Sequence, residues 1–548
     1  MNMQKRQNKA WIDRLLTASV LLLFVIYLGI FFYLNMFKYT QHVDSDIAVD
    51  AMLAREIWEE KDLTPNNWIS STERLVVGVP MISSLFYAMT GSMVFSMGLS
   101  CVITGALLLT AIAYVFRRCH ISATGICAAL LALCALPING LRNDGQMVPF
   151  VHLLWFLFAD YYALHSICLF LCIAFYIRLR GNALSGKPVR LRGKEILIWL
   201  FLTGLCGGLA LGGMRCLQVV ILPLVVFEVL LLFTESGCMS QRLPSGRWIA
   251  SAFLFSLLIV GILAKLYPTN VEYPMFIQDA SGMVNRLVLQ VPAAVLECLG
   301  IAGDCPLNSF AALMQLGTLA VLALTAWGFF FLFGFSQEGS HKKQRIDFSQ
   351  KTLLLALCTS FLLTVVIETV TTAETAHNYF FVVWFVLITV LALLITWTGE
   401  TAPWFTRLIL GCICVFAVCN VLYTYKDCMT TTDNLQEYEE VISYMDSEEL
   451  QYGYAEFWDA SRICIMTDGR ITMGHCYHME DLHMYWWTTS TKWYVPSLPE
   501  AMRTAYVVCV EDKEAFEAQF EDPSVVRLGF ENQRFAVYVS DHNLVSMN

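Results

Sequence analysis

Long apolar runs recur along this 548-residue chain, separated by short polar breaks. A membrane-spanning helix needs about 20 mostly apolar residues, and the first such run extends from about Leu15 to Phe37. Basic clusters then act as signposts, because Lys and Arg are retained on the cytoplasmic side. These are Lys5 to Arg14, Arg117 with Arg118, the dense set from Arg178 to Lys194, Arg242 with Arg247, and Lys342 to Arg345. Placing all of them inside predicts spans near 15–37, 94–116, 121–138, 160–177, 195–212, 216–235, 248–267, 308–334, 352–371, 379–397 and 406–424. Segments 74–91 and 146–159 are short or amphipathic. They are expected as half-inserted helices on the outer side, thirteen spans being the alternative.

Eleven spans with a cytoplasmic N-terminus leave the C-terminus outside. The pattern divides the chain into a membrane domain, 1–424, with a first outer loop at 38–74, and a water-soluble region, 425–548. In the latter, helical spacing covers 433–448 and 512–520, and strand character covers 452–457, 505–510, 525–529 and 535–540. The fold class expected is a polytopic α-helical membrane protein carrying a C-terminal extracytoplasmic α/β domain.

Composition agrees: 57% of residues are hydrophobic and 15% charged, against about 25% charged in ordinary soluble domains. The net charge of −10 offers no basic surface to a phosphate backbone, so no nucleic-acid partner is expected. The 19 cysteines lie mostly inside apolar runs and read as small hydrophobes. Cys298 and Cys305, in the third outer region, could pair in an oxidising compartment. The region after 424 holds 22 acidic and 8 basic residues. No Walker A, Gly-rich dinucleotide turn or His-Glu-x-x-His is present.

Candidate chemistry concentrates just after the first span. From Asp44 to Trp58, Ile47, Ala51, Ala54, Ile57 and Trp58 share one helical face. This predicts an amphipathic helix lying on the membrane surface, with Asp44 and Asp46 at its N-terminal edge. A carboxylate there can take a proton from a hydroxyl nucleophile; it can equally cap the helix. Arg142 and Arg215, at turns between spans, are candidate phosphate ligands. The alternative for Arg215 is a tie to helix-end carbonyls, and Asp144 reads equally as an Asn-Asp-Gly turn. Glu374, His377 and Tyr379 form a short polar outer turn that suits a substrate chamber or interface anchoring. His475, Cys476, His478, Glu480, Asp481 and His483 resemble a metal site in composition, although their spacing matches no standard zinc pattern. Glu228, Lys265 and Glu368 fall in or near spans, where charge usually marks function.

One helix crossing outward, then an acidic residue, a loop helix and many spans: this order resembles the GT-C superfamily of membrane glycosyltransferases. Protein O-mannosyltransferases and lipid A aminoarabinose transferases are the nearest in pattern. Asp46, Ala51, Arg55, Glu56, Ile57 and Pro65 fit the spacing of their first outer loop. Gly212-Gly213-Met214-Arg215, followed by Pro223, is similar to their Gly-x-Arg turn. The His-Pro-Pro element common in that family is absent, and Glu73-Arg74-Leu75 stands in its place, which speaks against protein O-mannosylation.

The resemblance implies transfer of a sugar from a polyprenyl-phosphate carrier to an acceptor hydroxyl of a glycan, lipid or protein at the outer face of the cell membrane. Asp46 would be the base, with Asp44 second. Arg55, Arg142, Asp144, Arg215, Glu374, His377 and Tyr379 would be substrate contacts. Some members use a divalent cation and others none. A secondary transporter or lipid flippase would account for the spans and intramembrane charges but not for the outer domain. A non-catalytic scaffold would accept any residue at Asp44 and Asp46.

Overall fold

The computed structural model describes residues 2–42, 45–71, 75–135, 162–184, 193–234, 239–266, 275–301, 306–333, 346–372, 375–422, 426 and 435–547. The side chains of 2–10, 42, 46, 183–184, 231–234, 239–245 and 311 fall outside that description.

Among the described residues nine helical segments are long and apolar enough to cross a membrane: 11–37, 93–118, 163–182, 194–211, 246–266, 312–333, 348–370, 377–401 and 403–420. We number the main helices α1 (Asn2–Phe37), α2 (Ser45–Glu60), α3 (Val79–Thr90), α4 (Met93–Arg118), α5 (Ala123–Ala135), α6 (Ala163–Leu184) and α7 (Lys194–Leu211). Then follow α8 (Leu222–Thr234), α9 (Met239–Leu266), α10 (Phe310–Phe333), α11 (Phe348–Val370), α12 (Val382–Thr401) and α13 (Pro403–Asn420). Helices α5 and α8 are shorter apolar rods at the two remaining predicted spans. This is a polytopic helical membrane protein. Predicted segment 146–159 lies outside the described residues.

At 12 residues, α3 is about 18 Å long, too short to cross. Pro80 opens it, and Gly91, in the left-handed region at φ 68°, closes it by donating to Tyr87 O. The half-inserted helix expected over 74–91 is therefore a stub, packed on α2 and α4.

Two π-helical segments interrupt the bundle, Leu217–Ile221 ahead of Pro223 and Arg286–Gln290 ahead of Pro292. Proline has no N–H to give the carbonyl four residues back, which would leave the Val219 carbonyl without its helical donor. The Ser360 hydroxyl donates to Val219 O at 2.7 Å instead, as a membrane interior requires.

Residues 435–547 form an α/β unit: α14 (Gln436–Ser447), α15 (Phe457–Met466) and α16 (Lys513–Ala518) against a five-stranded sheet. Its strands are β2 (Tyr452–Glu456), β3 (Thr472–Cys476), β5 (Thr504–Cys509), β6 (Arg527–Glu531) and β7 (Phe535–Ser540), in the order β3-β2-β5-β7-β6. The β2 strand runs parallel to β3 and β5, whereas β7 is antiparallel to both β5 and β6. Strand and helix expectations hold for α14, β2, β5, α16, β6 and β7. Helix α15 and strand β3 were not anticipated. A further two-stranded pair joins the regions: β1 (Trp68–Ile69) lies antiparallel to β4 (Thr489–Ser490), with Trp68 opposite Ser490.

Candidate functional site at the capped end of the bundle

The α/β unit covers one end of the helical bundle, and its contacts are specific. Asp468 Oδ1 accepts from Met93 N at 2.7 Å and Val94 N at 3.0 Å, so a residue some 375 positions away caps the first turn of α4. Ser92 Oγ accepts from Phe95 N in the same turn. Ser45 Oγ donates to Trp458 O at 2.5 Å. Lys492 Nζ lies 2.8 Å from both Glu56 Oε2 and Glu60 Oε1.

Burial pushes the Glu56 carboxyl above the usual carboxylate range, with Lys492 pulling against it. Burial works against the Lys492 ammonium as well, and the two carboxylates more than offset this, holding it above the ordinary lysine range. Arg55 donates to Glu59 at 2.9 Å and reaches Gly469 O at 3.4 Å. Gly469 has φ +77°, and a Cβ there would stand 2.7 Å from Arg55 Nη1 and 2.8 Å from Met93 Cε. The turn thus needs glycine for its backbone and for space.

These contacts correct one expectation. Helix α2 is not a surface helix with one wet face. Ile47, Ala48, Ala51, Met52 and Ile57 are buried, and so are Asp50 and Glu56. It runs between α3 and α4 on one side and α15 on the other, leaving Trp58 and Glu59 exposed. The polar residues of its second face serve the seam with the α/β unit. Asp46 is the second residue of α2, at its N-terminal edge as expected. Its side chain, and Asp44 altogether, lie outside the described residues, as do Arg142, Asp144 and Glu374.

Chain direction ties a second polar cluster to the same end. The C-terminus of α4 lies beside the N-terminus of α11, where Cys119 Sγ contacts Ser349 O at 3.6 Å. The other end of α4 carries the α/β unit, so α11 finishes at that capped end, with Glu368 in its last turn. There the Arg215 guanidinium lies 3.3 Å from the centre of the Tyr379 ring and donates to the Tyr162 hydroxyl. Arg286 donates to Glu368 O at 3.0 Å and to Thr375 Oγ1 at 2.5 Å. The Glu368 side chain is 3% exposed, and both Arg215 and Arg286 act on it electrostatically. His377 Nδ1 is 3.4 Å from Glu297 Oε1.

Of the predicted contacts, Arg215, His377 and Tyr379 therefore meet at one end of the bundle, and Arg55 sits in the seam. Arg286 was missed. A lone cation within the apolar stretch Val284–Leu289 was the available signal. Arg286 opens one π-widened segment and Arg215 lies two residues before the other, each ahead of a proline; such segments are frequent at functional sites.

Other expectations resolve differently. His475 is wholly buried in β3 beside Ser461 Oγ at 3.1 Å, and burial pushes its imidazole down to about 4. It is a core residue, and His478 instead faces Glu456 at 3.5 Å. Among the described residues no metal-like grouping forms in that stretch. Glu228 is paired with Arg180 at 2.7 Å, both buried. Cys298 is buried, and Cys305 lies outside the described residues.

No known family model matches the chain, and no curated protein matches it in sequence. Among solved structures it is similar over nearly its full length to ArnT from Cupriavidus metallidurans bound to undecaprenyl phosphate. Identity is 13%, coverage 95% of this chain and 98% of that one, and the TM-score 0.44. It is also similar to the Archaeoglobus fulgidus oligosaccharyltransferase tethered to an acceptor peptide, at 13% identity, 96% and 74% coverage and TM-score 0.43. For the same archaeal enzyme in complex with Zn and sulfate the values are 11%, 94%, 72% and 0.44.

Proposed function

We propose that this protein is a membrane glycosyltransferase. It takes a sugar from a polyprenyl-phosphate carrier and passes it, with inversion, to an acceptor hydroxyl at the end of the bundle capped by the α/β unit. That end is the outer face of the cell membrane, with the N-terminus cytoplasmic. In this reading 1–424 is the membrane domain and 425–548 the outer one.

The observation that carries the proposal is the pair of arginines at that end. Arg215 and Arg286 both lie near the buried Glu368, Arg286 donating to its backbone carbonyl, and Arg215 is braced between Tyr162 and Tyr379. Two guanidinium groups thus gather beside a buried carboxylate at the margin of the apolar bundle. Guanidinium is the group best suited to hold a phosphate there. A lipid-borne phosphate would lie against Arg215 while its tail remains among the helices. His377, Tyr379, Glu374, Arg142, Asp144 and Arg55 are the further proposed substrate contacts. Asp46, with Asp44 as second candidate, would take the acceptor hydroxyl's proton as the C–O bond to the carrier phosphate breaks.

The test uses full-length protein in nanodiscs. Radiolabelled undecaprenyl phosphate should bind the wild type and bind Arg215→Ala about tenfold or more weakly, with Arg215→Lys between the two. Equal binding by all three would remove Arg215 from the phosphate site.

A further inference from the structure

The membrane domain contains a second constellation that the transfer reaction does not use. Cys168 and Cys172 occupy positions i and i+4 on one face of α6, Cys206 projects from α7, and Cys216 follows Arg215 directly. The ligand atoms of Cys168, Cys172 and Cys206 all lie within 4.8 Å of one another. Sγ of Cys168 and Sγ of Cys206 are 3.1 Å apart. Cys168, Cys206 and Cys216 are completely buried. Among the described residues this is the only grouping of metal-ligating side chains that converges in this way. Three thiols thus converge from two helices, and Cys216 lies in the segment after the second, next to Arg215.

We propose that Cys168, Cys172 and Cys206 bind a thiophilic d10 cation, Zn2+ or Cu+. Thiolate sets without oxygen or imidazole select such ions. In a tetrahedral zinc site with Zn–S bonds of about 2.3 Å, neighbouring sulfurs stand about 3.8 Å apart, within the spread found here. Two deprotonated thiols would balance Zn2+, and one would balance Cu+, so the assembly carries no net charge into the apolar interior. Binding releases the same number of protons, and neither the cysteines nor the ion changes oxidation state. Cys172 also borders a small apolar cavity of about 40 Å3 lined by Phe175, Tyr176, Trp199 and Trp248. The ion would clamp α6 to α7, the helix that leads into the turn bearing Arg215. It would hold the arginine in place without touching substrate.

Full-length protein is purified in detergent without chelators and analysed for zinc and copper by mass spectrometry. Free thiols are counted after denaturation without reductant. About one equivalent of zinc or copper per chain is expected, falling at least tenfold in Cys168→Ser and Cys206→Ser and unchanged in Cys298→Ser. Loading the wild type with Co2+ should give an intense thiolate-to-metal charge-transfer band, a readout that needs no variant to fold. Wild-type protein lacking both metals and giving no such band would overturn the proposal. A mass lower by two hydrogens, showing a disulfide between any two of the three, would do the same.

Discussion

Two residues of the α/β unit test the seam and the core separately. Lys492 is the counter-charge for Glu56, whose side chain is 2% exposed. Lys492→Met leaves that carboxylate buried without its ion pair. Because Lys492 itself is 37% exposed, screening tempers the effect, and we expect a loss of about 1–3 kcal/mol. Limited proteolysis between 60 and 75 should accelerate, whereas a Glu56→Gln/Lys492→Met double variant should recover part of the loss. His475 gives a pH dependence whose sign is fixed. Its folded pKa of about 4 lies below an unfolded value of about 6.5. The unfolded chain therefore binds the extra proton, and this contribution, full above pH ~6.5, is lost as pH falls toward 4. The loss reaches about 3 kcal/mol at most. In thermal unfolding across that window, the stability difference between wild type and His475→Gln should change steadily as the pH drops. A constant difference would contradict the burial argument.

At the scale of elements, the cap on α4 is the sharpest case of what sequence could and could not disclose. The helix itself was legible, because 26 residues from Met93 to Arg118 are apolar enough to need a membrane and end in two arginines. Its N-cap was only half legible: Ser92 is a local signal, but Asp468 comes from the far end of the chain. Asp468 has φ 51°; Asp468→Ala should cost about 1 kcal/mol and Asp468→Asn much less, since asparagine also accepts from the helix N-terminus and tolerates that left-handed backbone. Urea titration of the two variants measures this. Helix α2 failed in an instructive way. Periodicity placed Ile47, Ala51, Ala54 and Ile57 correctly but not Trp58, which is exposed, and a polar second face looks the same whether it meets water or a partner carrying Lys492. Strand β1 was invisible because two residues carry no period. Helix α15 follows β2 without a break, and β3 lies inside a stretch whose histidines suggested ligands rather than a strand.

For the whole molecule, hydropathy and basic clusters were enough to mark the spans, because the bilayer imposes one length and one polarity on every crossing. They did not show which polar ends meet. Arg215, Arg286, Glu368 and Tyr379 converge through the packing of helices distant in sequence, and no local pattern encodes that. The proposed topology predicts that alkaline phosphatase fused after residue 547 is active in a bacterial host, while a fusion within 334–345 is inactive. The opposite result would invert the membrane orientation.

The central claim is that a carboxylate at the start of α2 promotes transfer from a lipid-borne phosphate held at the arginine end. The most direct measurement is sugar release from a panel of radiolabelled polyprenyl-phosphate hexoses by full-length protein in native-lipid nanodiscs, comparing wild type, Asp46→Asn and Asp44→Asn. The account predicts transfer by the wild type with one donor, reduced about 100-fold or more in Asp46→Asn while undecaprenyl phosphate still binds. Undiminished transfer by Asp46→Asn and Asp44→Asn alike would contradict it.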